Sequence, residues 1–96
     1  MKSLGFVEIQ STTAAIDVLD HMCKSANVEF VTWEKKLGGR LVTVVVQGEV
    51  AAVTAAVENA VKNAIKKPAA YAVIANPHEE TVRVLQKSAA RLKLSR

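Results

Sequence analysis

The sequence predicts an α+β fold of the ferredoxin-like type: a four-stranded antiparallel sheet, two helices on one of its faces, and a short C-terminal helix. Three observations lead there. Four β-rich runs and two helix-period stretches follow one another in the order βαββαβ, the order of a split βαβ arrangement. The chain has 96 residues and no low-complexity linker, which suits one small domain rather than two. A Gly38-Gly39 pair sits near the midpoint, between two strand-like runs, where a hairpin has to join the two halves.

The elements can be justified in order. Residues 4–9 alternate well enough for a first strand. Ser11, Thr12 and Thr13 then offer hydroxyls for a helix N-cap. Apolar residues follow at Ala15, Ile16, Leu19, Met22, Cys23 and Ala26, with helical spacing. Asp17 and Asp20 precede Lys24, the charge order that the helix dipole favours, and Asn27 supplies a stop. Residues 28–33 alternate again. After the Gly-Gly tip, residues 41–46 are almost wholly β-branched, as in a strand at the middle of a sheet. Gly48 turns the chain and Glu49 opens a second helix, rich in Ala and Val, expected to run to Lys67 and stop at Pro68. Residues 69–75 form a fourth strand, Asn76-Pro77 a turn, and Glu79 begins a last helix with Val82 and Leu85 inward. Residues 89–96 read as a basic polar tail.

Half the residues are hydrophobic, but Phe6, Phe30, Trp33 and Tyr71 are the only aromatics. Small side chains bury little area each, so a core made of Ala and Val is thin, and self-association is one way to add burial. No apolar run approaches the roughly 20 residues that span a bilayer, and the first residues show no signal-peptide pattern. A single cysteine excludes an internal disulfide framework and fits a cytosolic setting. The net charge of +4 permits a nucleic acid partner without requiring one.

Enzyme chemistry is poorly represented. His21 and His78 have no metal-ligand spacing to any Cys, Asp or Glu, so neither a metal nor a cofactor is expected. His21 reads as a surface or boundary residue and Cys23 as a small core residue rather than a nucleophile. A nucleic-acid-binding module of the same strand order is the alternative reading. It lacks aromatics on the third strand to stack bases. The stretch Lys35-Lys36-Leu37-Gly38-Gly39-Arg40 carries more cations than a turn needs. Taken alone it is a solvated hairpin. It is not a P-loop, because no Lys-Ser or Lys-Thr and no helix follow the glycines. An ion pair between Arg40 and Glu34 is an equally ordinary reading.

Several motifs in register point further. They are Lys2-Ser3-Leu4-Gly5-Phe6-Val7-Glu8, Lys24-Ser25-Ala26-Asn27-Val28, Lys36-Leu37-Gly38-Gly39-Arg40, Gly48-Glu49-Val50-Ala51-Ala52 and Val73-Ile74-Ala75-Asn76-Pro77-His78. In this order and spacing they resemble the single-domain shell proteins of bacterial microcompartments, over about residues 2–88. The resemblance implies a shell domain over residues 1–88, a homo-hexameric tile and a non-enzymatic structural role. Its place would be a microcompartment shell in the cytoplasm, beside other shell proteins and around encapsulated enzymes. It implies that Leu37, Gly38, Gly39 and Arg40 line a central pore for small anionic or polar metabolites. It puts Lys24, Asn76, Pro77 and His78 at the edge between hexamers. Many members carry arginine where this chain has Asn76, which is shorter and uncharged. Arg40 falls where some relatives have a third glycine.

Overall fold

The computed structural model describes residues 2–94. Met1, and Ser95 and Arg96 of the expected basic tail, lie outside the described residues. The elements are β1 (Ser3–Gln10), α1 (Thr12–Ser25), β2 (Glu29–Lys36), β3 (Leu41–Gly48), α2 (Val50–Asn63), β4 (Ala70–Ile74) and α3 (Glu79–Leu94). The four strands form one sheet in the order β2-β3-β1-β4, with every neighbouring pair antiparallel. The α+β class and the βαββαβ order are those read from the sequence.

The sheet has two covered faces of unequal depth. Val7, Ile9, Val42, Val44 and Val46 point to one face and pack against Ala14, Ala15, Val18 and Met22 of α1 and Val53, Ala56, Val57 and Ala60 of α2. Close approach is possible because Gly5 carries no side chain. A Cβ there would come within 2.8 Å of both Val53 Cγ1 and Val57 Cγ2. The other face holds a smaller cluster of Leu4, Val45 and Leu85, with Phe6 and Val31 against it. The third helix therefore lies on the opposite side of the sheet from α1 and α2. Val45 and its neighbours Val44 and Val46 are buried on alternate faces, which explains the unbroken β-branched run in β3.

β2 carries a bulge between Phe30 and Thr32. The irregularity re-aims the strand so that Thr32, fully buried, meets Ser88 of α3 across a 2.8 Å hydroxyl–hydroxyl bond. Ser88 in turn donates to Glu34, whose carboxylate also lies 3.5 Å from Arg91. With the single Ser88 proton given to Glu34, Thr32 is the donor to Ser88. These contacts fasten α3 to β2.

Three expectations change. The second helix ends at Asn63 rather than Lys67. The Ile65 N–H is taken by Asp17 Oδ2 of α1 at 3.2 Å instead of by a carbonyl one turn back, so the chain leaves the helix before Pro68 forces it to. The last helix has 16 residues and includes 89–94 of the expected tail. Cys23 is exposed, not a core residue. The buried stripe of α1 runs through Ala14, Ala15, Val18 and Met22, and Cys23 lies about 100° around the helix from Met22. Ile16 points outward for the same reason.

Candidate functional site: an exposed loop and the opposite end of the sheet

The connection from β2 to β3 is not a two-residue hairpin turn. Residues 37–39 form one 3-10 turn in which Leu37, Gly38 and Gly39 all have positive φ, at 56°, 68° and 89°. A left-handed Leu is unusual, because its Cβ crowds the following carbonyl. The conformation is held from outside. The Ser11 N–H donates to the Arg40 carbonyl at 3.0 Å, and Thr12 Oγ1 donates to the Gly39 carbonyl at 3.0 Å. Ser11 itself has φ 82° and caps α1 by accepting the Ala14 N–H at 3.1 Å. The first residues of α1 thus act as a bracket for the loop. Two strained residues, Ser11 and Leu37, belong to the same construction.

The bracket leaves the loop's side chains outside. Leu37 is 66% exposed although it is apolar. Arg40 curls back so that its Nε donates to the Leu37 carbonyl at 3.1 Å. It makes no ion pair with Glu34, which turns to α3 because it sits on the α3 face of β2, opposite Thr43. Loop residues 37–41, the chain at 10–12 and Lys66 surround an open concavity of about 690 Å³. Lys35 stacks over the Trp33 ring at 4.9 Å, which moves it away from the loop tip.

Lys24, Asn76, Pro77 and His78 are at the other end of the molecule. β1 starts at Ser3 against Gly48, β4 ends at Ile74 against Leu4, and α1 runs back along the sheet with Lys24 in its last turn. The Asn27 carbonyl lies 3.1 Å from where a Gly48 Cβ would be, which fixes the exit of α1 beside the end of β3. Ser3 Oγ ties the same corner by donating to the Ala75 carbonyl at 2.9 Å. The loop residues and this second group are therefore separated by the length of an eight-residue strand, about 23 Å. Lys24 Nζ pairs with Asp20 at 2.9 Å, and both are exposed. The hydrogen bond to Asp20, then its charge, pushes the Lys24 pKa above 10.5. His78 is spoken for locally: its Nδ1 accepts the Glu80 N–H at 3.0 Å at the start of α3.

Other polar residues do not assemble into a reactive centre. Among the described residues no group of three or more His, Cys, Asp and Glu is placed to hold a metal ion. His21 pairs with Asp17 at 3.4 Å, one helical turn away, rather than with adjacent Asp20. Burial pushes the Cys23 thiol up from 9.0, and the Asp20 carboxylate adds to the effect. No described helix is long and apolar enough to cross a membrane. Sequence reasoning did not find the roles of Thr12 and Lys66. Thr12 was legible as part of a helix cap, but its hold on Gly39 depends on strand register. Lys66 stands in a connector with no motif around it.

Fold and site together define a small structural module: a two-faced sheet with a strained, exposed loop bracketed at one end and a compact corner at the other. The bacterial microcompartment (BMC) domain model matches residues 3–77. The bacterial microcompartment shell protein PduA of Citrobacter freundii is 43% identical over 88 residues, 90% of this chain and 94% of that one. The carboxysome shell protein CsoS1A of Hydrogenovibrio crunogenus is 40% identical over 86 residues, 86% of this chain and 88% of that one. A crystal structure of a microcompartment protein from Desulfitobacterium hafniense superimposes with a TM-score of 0.78 at 26% identity over 92% of this chain. This chain spans 48% of that protein's length. The chain belongs to the BMC-domain family of bacterial microcompartment shell proteins. Its role is structural rather than enzymatic, and its place is the microcompartment shell.

Proposed function

We propose that the chain forms a homo-hexameric shell tile whose central pore is lined by Leu37, Gly38, Gly39 and Arg40 and whose outer edge carries Lys24, Asn76, Pro77 and His78. The observation that carries this reading is the two-ended layout. A strained loop, held by Ser11 and Thr12, projects at one end of the sheet, and the edge residues lie a full strand length away. A wedge of this kind sets one end on an axis and the other on a perimeter. The glycines keep the bore free of side-chain bulk. Six copies of Arg40 around an axis would attract small anions and polar metabolites and repel cations.

Exposed apolar side chains support burial between copies. Tyr71 and Ile65 are 59% and 63% exposed, apolar surface that contact between copies would cover. Asn76 is too short for the reach of an arginine. Contact between tiles then leans on Lys24 and on the Pro77-His78 turn. Other shell proteins of the same compartment are further partners, and the enclosed enzymes are the contents. Multi-angle light scattering tests the tile: a mass six times that of the chain is expected, and a monomer at working concentrations sinks the proposal.

A further inference from the structure

The face of the sheet that carries α3 is only partly covered. Leu85 closes over Leu4 and Val45. Further along the same face, Phe6 and Glu8 of β1, Thr43 of β3 and Ala70, Tyr71 and Ala72 of the edge strand β4 enclose a depression of about 200 Å³. Register brings them together: Glu8 lies opposite Thr43 on one side and Ala70 on the other, and Phe6 lies opposite Ala72. Both alanines are exposed and too small to fill the space beside Phe6. Glu8 is half-buried here, whereas every other glutamate of the chain is exposed. Its one side-chain hydrogen bond comes from Thr43 Oγ1 to Oε2, at 3.3 Å. No cation among the described residues pairs with it. Glu34 of β2 flanks Thr43 from the other side, and α3 supplies it with Ser88 and with Arg91 at 3.5 Å. Two carboxylates thus stand in one row across the sheet, and the counter-charge serves Glu34 alone. Holding a carboxylate partly out of water without a counter-ion is unfavourable.

We propose that this depression binds a small primary ammonium with a short carbon body. Thr43 has one hydroxyl proton and gives it to Glu8 Oε2, so Glu8 Oε1 and the lone pairs of Thr43 Oγ1 are the acceptors left at the site. An ammonium head has three N–H donors, one for each of these acceptors and one for water. The charge on Glu8 selects the ammonium over an alcohol of the same shape. Phe6, Ala70 and Ala72 take the carbon body. A quaternary ammonium carries the charge but no N–H donor, so the site discriminates against it. None of these residues is a pore or edge residue in the tile reading, so the site stands or falls separately from the tile.

The test is a ligand-observed NMR titration of the whole protein at low salt with n-propylammonium, tetramethylammonium and neutral 1-propanol, with particle mass followed by light scattering. Glu8→Gln keeps an acceptor for Thr43 and removes the charge. Ala72→Leu fills the apolar side from an exposed position and leaves the charge in place. Wild type should bind n-propylammonium, tetramethylammonium more weakly, and 1-propanol not at all. Each variant should weaken n-propylammonium by roughly tenfold or more at unchanged mass, and raising the salt should weaken it in wild type. Equal affinity in Glu8→Gln or in Ala72→Leu overturns the site. Tetramethylammonium bound as tightly as n-propylammonium overturns the assignment to a primary ammonium. A fall in particle mass in Glu8→Gln also overturns the site, because the carboxylate would then be held by a neighbouring copy. A hexameric wild type that binds no ammonium overturns the site and leaves the tile standing. A monomer that binds n-propylammonium in the expected pattern retains the site and removes the tile.

Discussion

Gly38 and Gly39 are adjacent and both left-handed, yet the structure predicts unequal costs for replacing them. At Gly38, φ is 68° and nothing lies within 4 Å of an added Cβ. Gly38→Ala therefore carries only the left-handed penalty, about 1 kcal/mol. At Gly39, φ is 89° and the new Cβ would stand 2.9 Å from Thr12 Oγ1. Thr12 has to rotate away, and its bond to the Gly39 carbonyl is lost, which adds about 1 kcal/mol. Gly39→Ala should then cost about 2 kcal/mol in total. The extra part should vanish in a Thr12→Ala background, where the crowding oxygen and the bond are already gone. That is a coupling of about 1 kcal/mol in a double-mutant cycle. Urea unfolding followed by circular dichroism measures it, at one fixed chain concentration because assembly shifts apparent stability. Equal costs for the two glycines, or additivity of Gly39→Ala with Thr12→Ala, would refute the bracket.

Four further outcomes are expected. Arg40→Glu should reduce flux of small anions through reconstituted shells and raise that of cations, and unchanged ratios would remove charge selection from the loop. Lys24→Ala should leave particle mass unchanged but abolish sheets in electron micrographs; because the Lys24 pKa is raised, wild-type sheets should keep this contact through neutral pH and begin to lose it only above about pH 10.5. One thiol per chain, Cys23, should react with Ellman's reagent in the native protein, more slowly than free cysteine at the same pH because its pKa is raised; a fast reaction, or none before unfolding, contradicts its placement. Ser88→Ala should cost about 2 kcal/mol, more than Thr32→Val, since it strips both the Thr32 hydroxyl and Glu34 of a partner; equal losses by urea titration would show that the chain of hydroxyls does not fasten α3.

Residue chemistry alone determined the outline of this protein. β-branched runs, helical spacing in α1 and α2, a hydroxyl cap at Ser11 and glycines at the midpoint are local signals, each readable within a few residues. They sufficed for the strand order and, through five motifs in register, for the family. Side-chain facing was less legible. Cys23 and Ile16 fit a helical stripe on spacing alone. Only the packing of α1 against β1, β3 and α2 decided that the stripe is centred on Ala15, Val18 and Met22 and leaves both outside. The end of α2 was misplaced because Pro68 is a visible stop, whereas the capture of the Ile65 N–H by Asp17 joins residues far apart in the chain. The bulge in β2 that accompanies the Thr32–Ser88 bond to α3 is likewise not announced by local sequence. The loop shows the division most clearly. Its glycines and cations are written at residues 36–40, but its left-handed Leu37, its anchoring by Ser11 and Thr12, and the concavity it shares with Lys66 exist only because antiparallel pairing brings the end of β1 beside the start of β3. Short-range preferences can be read one residue at a time, while bonds across the sheet depend on register, and register is set by the whole buried face at once.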